Sequence, residues 1–363
     1  MKILMTTDTV GGVWVYSLEL CRMLERYGVE VHLAALGAWP SPAQQVEVEK
    51  MPNVLLYKSD YKLEWMKDPW EDVEQSTKWI NSIYQTIQPD IVHLNNYAHV
   101  EEDWSAPVVT VFHSCVQTWW QAVKGKSAPH EWDQYTQTVK DSLEASDVVV
   151  TPTQAILKKA KEIHNFSPPA KVIYNGHDVN PSEGSKKENI ILCMGRMWDE
   201  AKNLKLLSNI AQRMSWPIYV AGDAVNPDTG KECRVENVEF LGKLSPEEVQ
   251  QWMERAGIFV SPTRYEPFGL AILEAAENGC ALVLSELETL QELWHDAALF
   301  FNPEDEAEAE KTLLRLLQNE GYLLELSEKA KTRAKEYSAL RMGKAYFGLY
   351  TEILEKEHKL MSI

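Results

Sequence analysis

The chain contains 363 residues, more than one hydrophobic core usually holds, so its length predicts two domains. Hydrophobic residues make up 45% and charged residues 25% of the chain, a balance that is typical of globular proteins and excludes disordered or fibrous ones. The formal net charge of −18 is shared by both halves, which excludes a basic lobe for nucleic acid or anionic lipid.

Short apolar runs alternate with helical patterns from one end of the chain to the other. In the first half these runs are residues 3–5, 30–36, 54–57, 90–94, 108–112, 147–151 and 172–174. In the second half they are residues 189–194, 218–221, 238–241, 257–261 and 281–285. Runs of this kind predict strands of parallel sheets that are covered by helices on both faces.

A polar segment at residues 180–187, which contains Pro181 and Gly184, is the best candidate for a linker. We therefore predict an α/β fold with two Rossmann-like, doubly wound domains, residues 1–180 and 181–340, that face each other across a cleft. Residues 341–363 are predicted to form a helical tail that carries several aromatic side chains.

Five widely spaced cysteines show neither metal-ligand nor redox spacing. We expect them to be reduced thiols, which favours a cytoplasmic location. The apolar run at residues 1–5 is too short for a signal peptide and is better explained as a first strand. Because no run approaches the length of a membrane-spanning helix, we expect at most a peripheral contact with a membrane.

The residues that follow the first strand include Gly11 and Gly12, which let the backbone approach a ligand closely and can open the next helix. The dinucleotide fingerprint G-x-G-x-x-G is absent, and the second strand does not end in an acidic residue, which argues against a nicotinamide dehydrogenase. His113 follows another strand of this domain. Gly12 and His113 can each serve structure alone or contact a ligand, and the residues leave both interpretations open.

The second domain carries a stronger signal at residues 194–204. This stretch follows the domain's first strand and presents Arg196 and Lys202. Two fixed cations can stabilise the negative charge on a departing phosphate without a metal ion. On spacing alone, however, such a pair is more often solvated than functional.

Residues 258–285 are predicted to form a strand, a loop, a helix and another strand. The helix would start after Pro267 and end at Gly279, because proline suits a first helical turn and glycine suits a left-handed cap. Its first turn would present the N–H groups of Phe268, Gly269 and Leu270 to a phosphate.

Glu266 and Glu274 bracket the start of this helix. On one helix their spacing would separate two carboxylates by about 12 Å along the axis, beyond the roughly 5–9.5 Å of a glycosidase pair. We therefore set a glycosidase aside. The structural explanation that remains is an acidic residue near a helix start together with a solvated glutamate on the helix.

The sequence Glu266-Pro-Phe-Gly followed by Glu274 resembles the donor-site motif of family 4 of the retaining glycosyltransferases, and the resemblance covers nearly the whole chain in motif order. It implies a GT-B fold with an acceptor-binding domain at 1–180, a nucleotide-sugar-binding domain at 181–340, and a terminal helix at 341–363 that crosses back to the first domain. The implied catalytic residues are Glu266, His113, Arg196 and Lys202. The implied donor-binding residues are Gly12, Arg196, Lys202, Leu244, Glu266, Phe268, Gly269, Leu270 and Glu274.

The resemblance also implies roles within that site. Glu266 would orient the sugar, Glu274 would bind the ribose, and His113 would contact the donor sugar near the reacting carbon. The chain departs from the family at residues 279–282, which read Gly-Cys-Ala-Leu where relatives have Gly-x-Pro-Val, and at residues 285–292, where many relatives have Gly-Gly. The second departure lies near the ribose and phosphate region, so it leaves the sugar and acceptor preferences open.

We therefore expect a metal-independent, retaining hexosyltransferase that takes a nucleoside diphosphate sugar, UDP-glucose-like, and a carbohydrate or lipid-linked hydroxyl acceptor, in polysaccharide or glycolipid synthesis. No cofactor is expected beyond that co-substrate, and the sequence contains no Asp-x-Asp metal motif. The first alternative is a nucleotide-sugar epimerase or phosphorylase-like enzyme, which needs further acid/base residues or a pyridoxal lysine. The second is a non-catalytic nucleotide-sugar-binding protein.

Overall fold

The computed structural model describes residues 1–101, 104–178, 186–226 and 230–361. The chain divides into two compact units. The first unit contains Met1–Gln121, Lys126–Gly176 and Ala339–Ile363, and the second contains Ala122–Gly125 and His177–Ser338. Most of the predicted linker, residues 180–185, lies outside the described residues.

The strands of the described residues follow the apolar runs closely. They are β1 (Lys2–Asp8), β2 (Glu30–Leu36), β3 (Val54–Lys58), β4 (Ile91–Leu94), β5 (Val108–Val111), β6 (Val148–Thr151), β7 (Ala170–Val172), β8 (Glu188–Met194), β9 (Ile218–Ala221), β10 (Glu239–Gly242), β11 (Ala256–Ser261), β12 (Ala281–Ser285) and β13 (Ala298–Phe301).

Helices lie between these strands and after β13. They are α1 (Gly12–Glu25), α2 (Pro42–Glu49), α3 (Trp70–Ile87), α4 (Val116–Lys124), α5 (Asp133–Glu144), α6 (Gln154–His164), α7 (Leu204–Ala211), α8 (Pro246–Arg255), α9 (Leu270–Glu277), α10 (Glu288–Trp294), α11 (Glu306–Leu317), α12 (Glu320–Ala334) and α13 (Ala339–Met361). Ser41 and Ser245 show why two of them start where they do, because each caps its helix with a capping box just before a proline.

Each unit is built on one parallel sheet. The first sheet has the order β3-β2-β1-β4-β5-β6-β7, and the second has the order β10-β9-β8-β11-β12-β13. The strand order therefore reverses between β1 and β4 in the first sheet and between β8 and β11 in the second. In open α/β sheets, ligands bind outside the carboxyl ends of the strands at such a switch point.

The hydrophobic core covers both faces of the second sheet. One face packs Phe259, Leu273 and Trp294, and the opposite face packs Ile191, Leu207 and Leu313, all of them buried. Strands that are buried on both faces explain the continuous apolar runs in the sequence.

The C-terminal helix α13 packs on α1 of the first unit. The rings of Tyr27 and Phe347 stack with their centroids 4.2 Å apart. Gly343 lets the two helices approach closely, since a Cβ atom there would lie 2.3 Å from Cβ of Met23. The predicted contact of the terminal helix with the first domain is therefore present.

The prediction of two doubly wound α/β domains is confirmed, with two local differences. Strand β7 ends at Val172, whereas the sequence predicted a strand at 172–174. Strand β13 was not predicted, although residues 297–301 read Ala-Ala-Leu-Phe-Phe and form an apolar run like those of the predicted strands. Within the described residues, no helix combines the length and the apolar character needed to cross a membrane.

Candidate functional site

Two loops meet at the switch point of the second sheet. One loop follows β8 and the other follows β11. The Arg264 N–H donates to the Ala201 carbonyl at 2.7 Å, and the Thr263 hydroxyl donates to the same carbonyl at 2.9 Å. The Asn203 amide nitrogen donates to the Pro262 carbonyl at 3.0 Å. These bonds hold the loops in one arrangement and position the side chains that they carry.

Lys202 and Glu266 form an ion pair across these two loops. Lys202 Nζ lies 2.8 Å from Glu266 Oε2, and the two side chains are only 17% and 16% exposed. Gly195 makes room for the lysine, because a Cβ atom there would lie 3.0 Å from Lys202 Cε. The Thr289 hydroxyl donates to the Glu266 carbonyl at 2.6 Å and fixes the backbone of the glutamate. The structure thus brings together two residues that the sequence singled out.

Arg196 lies on the same loop as Lys202 but is more exposed. Its guanidinium lies 3.6 Å from Asp199 Oδ2 and 5.4 Å from the centroid of the Trp198 ring. Asp199 is itself held, because its Oδ1 accepts the N–H of Ala201 at 2.9 Å. The side chain of Arg196 remains 45% exposed, so its guanidinium is accessible to an anion.

Helix α9 starts later than the sequence predicted. It begins at Leu270, because Gly269 has a left-handed φ of 87° that no helical residue adopts. Phe268 lies before the helix and is 3% exposed, and its ring packs edge-on against Tyr337. The prediction that Phe268 lies in the first helical turn is therefore wrong. Leu270 and Ala271 open the helix instead, while the predicted end at a left-handed Gly279 is confirmed.

The ligand-binding roles of Glu274 and Leu244 remain predictions. Glu274 lies on the second turn of α9 and is partly exposed. Leu244 lies between β10 and α8, just after Gly242 with its left-handed φ of 71°, and it is also partly exposed. Both positions leave the side chain accessible to a ligand.

At the switch point of the first sheet, the loop after β1 is shaped by Asp8. Its Oδ1 accepts the N–H groups of Val10 and Gly11, each at 3.0 Å. Gly12 opens α1 and is exposed, so the backbone there is accessible. A carboxylate that binds the following amides is a common way of closing such a turn.

His113 lies just beyond β5 and belongs to a buried hydrogen-bond network that the sequence did not reveal. Its Nε2 lies 2.7 Å from Oδ1 of Asn95, which follows β4. His93 Nε2 lies 3.4 Å from the same oxygen, and His93 Nδ1 lies 2.6 Å from the Tyr350 hydroxyl on α13. Asn95 could have been suspected from the sequence, because it is a polar residue directly after an apolar strand.

Burial keeps both histidines of this network neutral. It lowers the pKa of His93 to about 3 and that of His113 to about 3, with His93 adding to the effect at His113.

The buried carboxyl group of Glu64 has a pKa that is shifted upward. Burial raises it to about 7. Glu64 Oε1 accepts the Tyr97 N–H at 3.2 Å, and the Tyr97 hydroxyl donates to the Ser114 carbonyl at 2.7 Å.

Within the described ranges, no group of three or more His, Cys, Asp or Glu side chains is arranged to bind a metal ion. At the switch point of the second sheet, Arg196, Lys202 and the N–H groups at the start of α9 are groups that can bind an anion.

Two family profiles match this chain. The profile described as Glycosyltransferase Family 4 matches residues 10–180, and the profile described as Glycosyl transferases group 1 matches residues 188–319. The two matches lie in the first and the second unit respectively.

Individual relatives share 23% to 30% of the aligned residues with this chain. An uncharacterized glycosyltransferase of Methanocaldococcus jannaschii is 23% identical over 332 residues, which are 81% of this chain and 82% of that protein. A phosphatidyl-myo-inositol mannosyltransferase of Propionibacterium freudenreichii is 30% identical over 167 residues, 45% and 43% of the two chains. The O-antigen chain mannosyltransferase B of Escherichia coli is 29% identical over 132 residues, 35% of each chain.

Solved structures show the same fold. Sucrose-phosphate synthase from Thermosynechococcus elongatus superposes with a TM-score of 0.79 at 16% identity, over 97% of this chain and 100% of that one. HepE of Anabaena in complex with UDP and glucose superposes with a TM-score of 0.74 at 16% identity, again over 97% and 100%.

Proposed function

Because this chain belongs to the group 1 glycosyltransferases of family 4, we propose that it transfers a hexose from a nucleoside diphosphate sugar to a hydroxyl acceptor with retention of the anomeric configuration. The observation that carries the proposal is the Lys202–Glu266 pair at the switch point of the second sheet. It places a cation and a carboxylate where open α/β sheets bind ligands.

The charge on the departing pyrophosphate is the main obstacle to this reaction. Lys202 and Arg196 are proposed to stabilise that charge, assisted by the N–H groups of Leu270 and Ala271 at the positive end of α9. Cations and amides that are already fixed by the protein need little reorganisation when the charge develops. Metal-independent leaving-group departure follows from this arrangement and is part of the proposal.

Glu266 is proposed to orient the sugar. Its carboxylate accepts one hydrogen bond from Lys202 and has further lone pairs for sugar hydroxyl groups. Glu274, four residues into α9, is proposed to bind the ribose, and Leu244 is proposed to pack against the nucleobase.

Bond making and breaking are proposed to occur on the same face of the sugar. The acceptor hydroxyl oxygen forms a bond to the anomeric carbon while the bond from that carbon to the β-phosphate oxygen breaks. The hydroxyl proton passes to the departing phosphate oxygen, so atoms and charge balance without an enzyme nucleophile.

The donor is proposed to be UDP-glucose or a close analogue, since HepE, which shares the fold, was solved with UDP and glucose. A mannosyl donor is the second candidate, because two of the relatives are named as mannosyltransferases. The acceptor is proposed to be a carbohydrate or a lipid-linked sugar.

A donor screen tests the proposal. UDP-glucose, GDP-mannose and ADP-glucose would be compared by calorimetry and by product formation with wild type and the Lys202→Ala variant. We expect one donor to be turned over and the variant to lose about 100-fold or more in kcat/KM. Lys205→Ala is the matched control, because Lys205 is an exposed lysine of α7 on the same segment, and it should behave as wild type. Equal losses in both variants, or no turnover of any donor, would refute the proposal.

A further inference from the structure

The side-chain amide of Asn95 has one possible orientation. Its Nδ2 lies 2.7 Å from the Thr6 carbonyl oxygen, which can only accept a hydrogen bond. The Asn95 backbone N–H also donates to the Thr6 hydroxyl at 2.9 Å, and both residues are buried. The amide nitrogen therefore faces β1, and the amide oxygen must face the two histidines.

This orientation determines which nitrogen of His113 carries the proton. Asn95 Oδ1 lies 2.7 Å from His113 Nε2, and an amide oxygen cannot donate, so Nε2 must be protonated. A neutral imidazole carries a single proton on its ring nitrogens. Nδ1 of His113 is consequently a hydrogen-bond acceptor.

The network extends to the C-terminal helix. If His93 also directs its Nε2–H toward Asn95 Oδ1, at 3.4 Å, its Nδ1 accepts from the Tyr350 hydroxyl at 2.6 Å. The direction of donation then runs from Tyr350 to His93 to Asn95, and from His113 to Asn95. The Tyr16 hydroxyl also lies 3.4 Å from His93 Nε2, and in this direction of donation it accepts from that nitrogen alongside Asn95 Oδ1. Both rings are neutral in this arrangement.

The aromatic groups around His113 and His93 are themselves uncharged. The Tyr16 ring of α1 lies edge-on at 4.7 Å, and His93 of β4 packs behind Asn95. Tyr346 and Tyr350 of α13 pack around His93. Burial raises the pKa of all three tyrosines, so these neighbours stay neutral at physiological pH.

We propose that Asn95 is a positioning residue that fixes His113 as the neutral Nε2–H tautomer, so that Nδ1 accepts a hydrogen bond from a hydroxyl group of a carbohydrate substrate. The inference rests on the proposed function for the identity of that substrate. An imidazolium or the opposite tautomer would present a donor at Nδ1 and would lose this hydrogen bond.

The tautomer can be observed directly in the wild-type protein. Long-range ¹H–¹⁵N correlation spectra at neutral pH distinguish a protonated ring nitrogen from a bare one, and the His113→Gln variant assigns the signal. We expect a protonated Nε2 and a bare Nδ1 at His113. A protonated Nδ1, an imidazolium, or averaging between both tautomers would overturn the proposal.

Variants then test the consequence. Asn95→Ala should let His113 exchange between its tautomers and should lower kcat/KM about tenfold, as expected for the loss of one hydrogen bond that positions a reacting group. The matched control is Asn96→Ala, since Asn96 is the adjacent buried amide and its oxygen has no hydrogen-bond partner among the described residues. Asn96→Ala should leave both the tautomer and kcat/KM unchanged.

A charged substitution at Asn95 should change the pH profile of transfer, which would not change if Asn95 served only the structure. Asn95→Asp keeps an acceptor at His113 Nε2 and loses the donor to the Thr6 carbonyl. An ionised carboxylate there favours the imidazolium, so transfer should fall on the acid side of a new pKa between pH 5 and 8. An unchanged pH profile in a folded variant would count against the proposal. If no donor is turned over by wild type, the proposed function fails, whereas the tautomer measurement still decides the role of Asn95.

Discussion

The carboxyl ends of the strands in the two sheets differ in the polar groups that pair there. In the second unit, Lys202 and Glu266 are charged partners on the loops after β8 and β11. In the first unit, Asn95 follows β4 at the switch point and His113 follows β5, one strand further along the sheet; both are neutral, and buried His93 supports them. One fold can therefore present either ionic or neutral hydrogen bonding at the carboxyl ends of its strands. Fixed charge suits a pyrophosphate, whereas neutral donors and acceptors suit sugar hydroxyl groups.

The largest expected effect comes from removing charge in the second unit. Glu266→Gln keeps the shape of the side chain but leaves Lys202 without its ionic partner and weakens the hydrogen bonds to the sugar. We expect kcat to fall about 100- to 1,000-fold. Steady-state kinetics with the accepted donor measure the change.

Glu188→Gln is the control for this prediction. Glu188 is the first residue of β8, so it lies at the end of the strands opposite the switch point, and it pairs with Arg255. Exposed pairs contribute little, so its kinetics should match those of wild type. Similar losses in both variants would show that charge at the switch point has no special role.

In the first unit, removing a charge should stabilise the protein. The folded-state pKa of Glu64 is about 7, above the unfolded value, so the unfolded carboxyl loses its proton first as the pH rises. Glu64 therefore destabilises the fold progressively between about pH 4.5 and 7. Glu64→Gln should raise the free energy of unfolding at pH 8 by on the order of 2–3 kcal/mol and should leave it nearly unchanged at pH 4.5.

Denaturant unfolding at the two pH values measures this difference. Glu74→Gln is the control, because Glu74 is an exposed carboxylate on α3 in the same unit and it should show no such pH dependence. A Glu64 variant that is destabilised at pH 8 would mean that its charged carboxylate stabilises the unit.

Buried neutral histidines should make the first unit sensitive to acid. The pKa of His99 is lowered to about 4 by burial, so the unfolded state takes up a proton first as the pH falls below its usual value. The stability contributed by neutral His99 is present above about pH 6.5 and is lost as the pH falls toward 4. At pH 5 the loss should be about 2 kcal/mol.

Hydrogen exchange, corrected for intrinsic rates, measures this loss separately in each unit. His99→Gln should reduce the change in protection of the first unit between pH 7 and pH 5 and should not affect the second unit. An identical pH response of wild type and variant would contradict the assignment of a buried neutral histidine.

The smallest effect is expected at Tyr350 on α13, where the hydrogen-bond network of Asn95 and His93 ends. Tyr350→Phe removes the hydroxyl that forms a hydrogen bond with His93 Nδ1 but keeps the ring that packs there. We expect a loss of about 1 kcal/mol in stability and little change in kcat/KM. Tyr346→Phe is the matched control on the same helix. A large kinetic effect of Tyr350→Phe would mean that α13 contributes directly to the chemistry.

The sequence predicted the fold well because parallel strands buried on both faces leave continuous apolar runs. The prediction missed β13, although residues 297–301 carry the same signal, a continuous apolar run. It predicted the Lys202–Glu266 region from the types and order of the residues. It misplaced Phe268, because local helix signals do not show that the left-handed Gly269 delays the helix while the ring is drawn into the core.

The network in the first unit illustrates a different obstacle. His93, Asn95, His113 and Tyr350 come from three separate parts of the chain, and only the fold brings them together. Asn95 follows an apolar strand, which marks it as a candidate, but its orientation depends on the Thr6 carbonyl of a neighbouring strand. Tautomers are decided by such contacts and leave no pattern in the sequence.

The switch point of the second unit is proposed to bind the diphosphate of the donor. A crystal structure with the accepted nucleoside diphosphate bound is the decisive measurement. We expect phosphate oxygens within hydrogen-bond distance of Lys202 Nζ, the Arg196 guanidinium and the N–H groups of Leu270 and Ala271. A diphosphate bound elsewhere, with the Lys202–Glu266 pair untouched, would contradict it.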